Sequence, residues 1–142
     1  MTILQKANAA CMSEDTAKLL LRITVGFLML LHGIFKIQNP ESISFIGGLF
    51  ENYGLPAFLA YLVYIGEVLA PLMLLVGFKT RLAAKLVAIT MVVAILLAHA
   101  KDIFALTATG GAAIELQLLL LIGAVTISAL GAGKYSLDAK KG

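Results

Sequence analysis

Four apolar stretches, each long enough to cross a lipid bilayer, hold or directly border ionisable side chains, among them Arg22, His32, Glu67, His99 and Glu115. The stretches are Leu19 to Ile37, Ala57 to Val76, Leu82 to Ala98 and Ala112 to Leu130, and each holds 17 to 20 residues. At about 1.5 Å rise per residue they measure roughly 25–30 Å, the thickness of a hydrocarbon core. Lipid offers no partner to exposed backbone groups, so segments this long and apolar are expected as helices. An ionisable group placed among them costs several kcal/mol and by default marks a site, a partner or a pathway.

The whole composition agrees with a membrane protein. Of 142 residues 61% are apolar and 13% charged, against roughly a quarter charged in a typical globular chain. The net charge of +3 is not a nucleic-acid signal, because the basic residues divide by membrane side. Lys6, Lys18, Arg22, Lys79, Arg81, Lys85, Lys134, Lys140 and Lys141 are 9 of the 11, with Lys36 and Lys101 opposite. The positive-inside bias puts both termini and the loop between spans two and three in the cytoplasm. The expected fold is all-α, a membrane four-helix bundle, with residues 1–18 a cytoplasmic N-terminal segment, 19–138 the membrane domain and 139–142 a basic tail. Met1 to Ala17 contains no apolar run of its own, so no cleaved signal is expected. Cys11, the single cysteine, cannot form an internal disulfide or run a two-cysteine relay.

Between spans one and two, Asn39-Pro40-Glu41 reads as a helix start, with a capping side chain, a proline at the first position and an acid near the positive helix end. Ile43, Ile46, Phe50 and Tyr53 then give one apolar face. The expectation is a short interfacial helix, either a plain anchor or a lid over an outer cavity.

Topology fixes the depth of the polar groups. From the middle of span one, His32 lies about 6 Å and Lys36 about 12 Å toward the outside. Arg22, Gly26, Met29, His32, Gly33 and Lys36 share one face, a stripe whose glycines permit close helix approach. Arg22 is expected to snorkel to the cytoplasmic surface. Glu67 sits near the bilayer midplane with Tyr64 three residues earlier, while Pro71 frees the Glu67 carbonyl by having no N–H. Lys36, His32 and His99 are its candidate cations, and the group is either a buried clamp or a proton or ligand site. Histidines at the differing depths of His32 and His99 do not suit a shared haem, and no Glu-x-x-His spacing supports a metal. The candidate ligand-binding set is Arg22, His32, Lys36, Tyr64, Glu67, His99 and Glu115, with Phe35 and Tyr61 as further ring walls; no catalytic residue is singled out.

Arg22-Ile23-Thr24-Val25-Gly26, His32-Gly33-Ile34-Phe35-Lys36, Tyr53-Gly54-Leu55-Pro56, Glu67, Gly77-Phe78-Lys79-Thr80-Arg81 and the ending Gly131-Ala132-Gly133-Lys134-Tyr135-Ser136-Leu137-Asp138 resemble, in order and spacing, the DoxX family of small membrane proteins. The resemblance departs at Ala108 to Glu115, where relatives are richer in aromatics. It implies a bacterial inner-membrane protein tied to redox chemistry, since the family is named after a subunit of a thiosulfate:quinone oxidoreductase. The cofactor stays open, with a quinone as the candidate, and beside the bilayer the candidate partner is a soluble or membrane oxidoreductase. Family membership does not by itself make the chain an enzyme. Three readings stay open: a quinone-site subunit of a redox complex, a non-catalytic membrane partner, and a transporter, the last disfavoured by the short chain and the lack of an inverted repeat.

Overall fold

A computed structural model describes residues 1–9 and 12–141, so Cys11 lies outside the described residues. The described chain is helical, its only bridged pair being Leu106 with Ala112. A short helix α1 (Ile3–Ala9) precedes α2 (Glu14–Gln38). Helix α2 starts five residues before its apolar run because Ser13 accepts a hydrogen bond from the Thr16 amide and Glu14 and Asp15 occupy the positive end. The interfacial helix α3 spans Glu41–Glu51.

Asn39 does not cap α3 as its sequence context suggests. Its side-chain amide and backbone N–H both donate to the Phe35 carbonyl, closing α2 instead, while Pro40 stands before α3 without a side-chain cap. Tyr53 falls beyond the end of α3 in an exposed turn, so the apolar face consists of Ile43, Ile46 and Phe50. A Cβ at Gly47 would press on Ala57, showing how closely α3 is set against the start of the next segment.

The second apolar stretch is helical but not one regular α-helix. It runs as a 3-10 turn (Ala57–Leu62), a π-helical turn (Ile65–Leu69) and then α4 (Ala70–Val76). Pro71 supplies the reason. A proline inside a helix has no N–H for the residue four earlier and its ring crowds that carbonyl, here Glu67. The chain widens just upstream, and the Ala70 amide reaches back to Ile65.

Helix α5 covers Thr80–Ala98, and α6 covers Glu115–Leu130. At 16 residues α6 is shorter than the 19-residue stretch read from hydropathy, because Ala112 is bridged to Leu106 and the Glu115 amide bonds the Ala112 carbonyl in a turn. The short helix α7 (Leu137–Lys140) ends the described chain. Three segments are long and apolar enough to cross a membrane, and α6 is a shorter fourth.

One core joins four of these elements, with Val25 and Met29 from α2, Leu74 from α4, Val87 and Met91 from α5 and Ala124 from α6. The opposite faces remain apolar: Phe27, Ile89 and Leu119 are more than half exposed. Apolar surface on this scale would be a liability in water and suits lipid. Small residues set the approach of α2 to α4, since a Cβ at Gly26 would meet the Pro71 carbonyl at 3.1 Å and Leu74 at 3.2 Å.

Candidate functional site

Glu67 occupies the middle of the π-helical turn and is 4% exposed. The turn is gripped from both sides. A Cβ at Gly33 of α2 would overlap the Glu67 carbonyl, and one at Gly66 would overlap the Thr90 hydroxyl of α5. π turns inside helices recur at functional sites because they displace a side chain and loosen backbone pairing locally.

The buried carboxylate meets one cation, Lys36 of α2, whose Nζ lies 2.5 Å from Glu67 Oε2. The lysine side chain is 17% exposed and the glutamate side chain 6%, so the pair lies at the edge of the packed region with its lysine end open. Tyr64 completes the arrangement by donating its hydroxyl to the Lys36 carbonyl at 3.3 Å. Tyr61 and Tyr64 stand with ring centroids 6.5 Å apart at 51°. Tyr64 also lines an apolar groove of about 360 Å³, with Ile37, Val68, Leu69 and Leu72; Lys36 and Glu67 are not among its walls. Lys36, Tyr64 and Glu67 are thus brought together, and Tyr64 links them to the apolar groove.

The other candidates are placed elsewhere. His32 is exposed on α2, off the buried stripe. Glu115 is exposed at the first position of α6 and lies against Gly111 of its own loop, where an acid suits the positive helix end. Phe35 is 58% exposed. His99, half-buried, has its Nδ1 3.6 Å from Asp102 Oδ2 and its Nε2 3.4 Å from Gln117 Nε2. Gln117 Oε1 is buried without a partner. Reversing the Gln117 amide places its oxygen against His99 Nε2–H.

Arg22 does not snorkel. It is 1% exposed, and its Nη2 donates to the Tyr135 carbonyl at 2.6 Å. Its Nε and Nη1 find no acceptor among the described residues. The guanidinium fits against the left-handed turn at Gly77 (φ 72°), where a Cβ would overlap Nη1. Around this turn the chain ends are sewn together by a set of residues the sequence did not single out individually. Asp138 Oδ1 and Oδ2 accept the Lys79 and Thr80 amides at 2.7 and 2.9 Å, and the Asp138 amide donates to the Gly77 carbonyl. Arg81 Nη1 donates to the carbonyls of Ser128 and Ala129 at the end of α6, and the Lys134 amide donates to Asp15. Burial pushes the Asp138 carboxyl up, but the Thr80 amide and hydroxyl dipole, the Lys79 amide and the charge of Lys141 outweigh it and hold the group below the ordinary carboxylate range. The signal for this second constellation was the pair of blocks 77–81 and 131–138, which share no periodicity but hold Gly77, Lys79, Thr80, Arg81, Lys134, Tyr135 and Asp138.

With this geometry in place, comparison with known proteins is informative. The family model described as DoxX matches residues 17–100. A Bacillus subtilis protein named "Putative oxidoreductase CatD" is 32% identical over 127 residues, covering 89% of this chain and 87% of its own length. An uncharacterized membrane protein of Mycobacterium tuberculosis is 32% identical over 130 residues, covering 83% of this chain and 77% of its own. No solved structure matches the chain at a significant level.

Proposed function

We propose, from the premise that this chain belongs to the DoxX family of membrane proteins, that it is the integral membrane subunit of a redox complex and receives a quinone-like molecule at Lys36, Tyr64 and Glu67. In this reading the four apolar segments form a four-helix bundle in the bacterial inner membrane with both termini in the cytoplasm, as the basic asymmetry favours. The observation that carries it is the Lys36–Glu67 pair, linked through Tyr64, which bonds the Lys36 carbonyl, to an apolar groove of about 360 Å³ that Tyr64 lines. Sites for such ligands are mostly apolar with a few convergent polar groups, and the residues here fit that description.

Val68, Leu69 and Leu72 would hold the ring and begin the path of its tail, while Lys36 supplies a donor to a carbonyl oxygen and the Tyr64 hydroxyl would turn from the Lys36 carbonyl to donate to the other. Glu67, beside the lysine, is placed to exchange protons with a bound ring. A quinone would supply two-electron, two-proton chemistry, with the electrons exchanged with a partner oxidoreductase. The printed name of the Bacillus relative supports an oxidoreductase setting.

The test is titration of a short-chain menaquinone or ubiquinone analogue into the purified protein. Saturable binding is expected, weakened about fivefold or more, roughly 1 kcal/mol, by Lys36→Ala and by Val68→Trp, which fills the slot. No saturable binding by the folded protein would sink the proposal. A second reading, a membrane partner for a soluble oxidoreductase without quinone binding, is favoured by the rigid basic surface around residues 77–81 and 131–138. Co-purification of such an enzyme from a protein that ignores quinone would support it.

A further inference from the structure

The segment 103–114, between the end of α5 and the start of α6, contains no charged residue. We infer that it is a hairpin seated in the membrane interface, with Phe104 and Leu106 turned into the lipid.

The length of α6 is the starting point. Its 16 residues measure about 24 Å against roughly 30 Å of hydrocarbon, so the chain beside it must supply the remaining thickness. After α6 the chain enters the clamp, where Lys134 and Asp138 are tied to Asp15 and to the 77–80 turn. Before α6 lies the uncharged segment, which reaches apolar depth at far lower cost than those charges. His99 and Gln117, whose Nε2 atoms are 3.4 Å apart, set the first turn of α6 beside the end of α5. The segment therefore rests directly on the two helix ends.

It also answers much of its own backbone. Leu106 is bridged to Ala112, the Thr107 amide donates to the Gly111 carbonyl at 2.7 Å and the Ala113 amide to the Ala105 carbonyl at 2.9 Å. The turn is closed by the Gly110 amide on the Thr107 carbonyl, with Gly110 at φ 87°, and by the Gly111 amide on Thr107 Oγ1. Polar groups paired in this way lose little on leaving water. A lone hairpin still has open edges, which need headgroups or water, so its level is the interface and not the hydrocarbon core.

The side chains agree. Ile114, 6% exposed, anchors the base, while Phe104 and Leu106 are 96% and 72% exposed on an ordered turn. Lys101 and Glu115, exposed on either side of the segment, mark the level where water begins. A surface with Phe and Leu and no charge offers a protein partner no electrostatic register, and lipid requires none. The inference is independent of quinone binding, because the hairpin shares no residue with the Lys36–Glu67 region.

The experiment places a nitrobenzoxadiazole label at Phe104→Cys, Leu106→Cys or Thr109→Cys in the full chain carrying Cys11→Ser, reconstituted in phosphatidylcholine–phosphatidylglycerol nanodiscs. Labels at 104 and 106 are expected to be quenched severalfold more by lipid with a doxyl group high on its acyl chain than by aqueous iodide. The label at 109, in the turn, is expected to be the one more open to iodide. Phe104→Ser and Leu106→Ser are expected to unfold in detergent at the wild-type temperature, because both side chains touch little of the protein. Labels at 104 and 106 as open to iodide as the label at 109 would overturn the inference. So would labels shielded from both quenchers, which would place a second copy of the chain over the hairpin, or a large loss of thermal stability in the serine variants.

Discussion

The two ends of this molecule place charge in an apolar setting by different means. At Lys36–Glu67 one side chain answers another, across 31 residues of sequence, in a direct ion pair that Tyr64 links to an apolar groove. At Arg22 and Asp138 the side chains answer the backbone: Arg22 bonds the Tyr135 carbonyl across 113 residues, and Asp138 takes two amides of the 77–80 turn. A side-chain pair can open when a ligand competes for either partner. A charge fixed by backbone groups can move only if the fold moves with it. The first arrangement suits a binding site and the second a clamp.

The sharpest way to break this contrast is to remove one partner of the pair. Glu67→Ala strands a largely buried lysine and is expected to lower stability by about 3 kcal/mol, the scale for breaking a buried pair. Glu67→Gln keeps an acceptor for Lys36 Nζ and should cost well under half as much. Denaturation in detergent checks both, and equal, negligible effects would show that the pair contributes nothing to the fold.

A somewhat smaller loss is expected from Gly33→Ala. Its Cβ would overlap the Glu67 carbonyl, so α2 must move away from the π turn at a cost of roughly 1–3 kcal/mol. The same substitution at Gly48, which meets nothing within 4 Å, should be neutral or slightly stabilising by thermal unfolding. A harmless Gly33→Ala would mean that the close approach is dispensable.

Arg22→Met sharpens the comparison from the other side. It forfeits the bond to Tyr135 but also removes two buried donors that lack acceptors, so the net loss should be about 1 kcal/mol or less, below that of Glu67→Ala. A larger loss would show that the guanidinium has an acceptor outside the described residues.

The smallest effect is one of pH and belongs to the clamp. Asp138 is held below its ordinary carboxyl value of 3.8, so the folded state favours its charged form. Its contribution is complete above 3.8 and is lost as the pH falls below that value through the folded-state one. The protection of the Lys79 and Thr80 amides, their exchange relative to an unstructured amide at the same pH, should hold above this point and fall beneath it. In Asp138→Asn the protection should not change there; a wild type with the same flat protection would remove Asp138 from the clamp.

Some of this was readable one residue at a time. The site candidates Glu67, Lys36 and Tyr64 were legible because an acid in an apolar run needs a cation, and helix spacing put Tyr64 on its face. His32 and Lys36 have nearly the same claim by sequence, four residues apart on one stripe. Only Lys36 reaches Glu67, and His32 stays exposed. Helix rotation decides between them, and hydropathy does not encode it. The fold was legible at the level of apolar segments and less so in their internal geometry, where the widened turn before Pro71 replaced a regular helix.

The sequence by itself determined that this chain carries four apolar segments suited to a bilayer, three of them long enough to cross it as helices, because transfer free energy is a property of local composition. Membership of the DoxX family is likewise written in the sequence. The tertiary structure alone decided which polar groups meet: Glu67 with Lys36, Asp138 with the 77–80 turn, and Arg22 with the Tyr135 carbonyl. Those partners lie 31 to 113 residues apart, and their meeting depends on helix rotation, on the widened turn before Pro71 and on glycines that let backbones touch. Each is set by the packing of the whole chain.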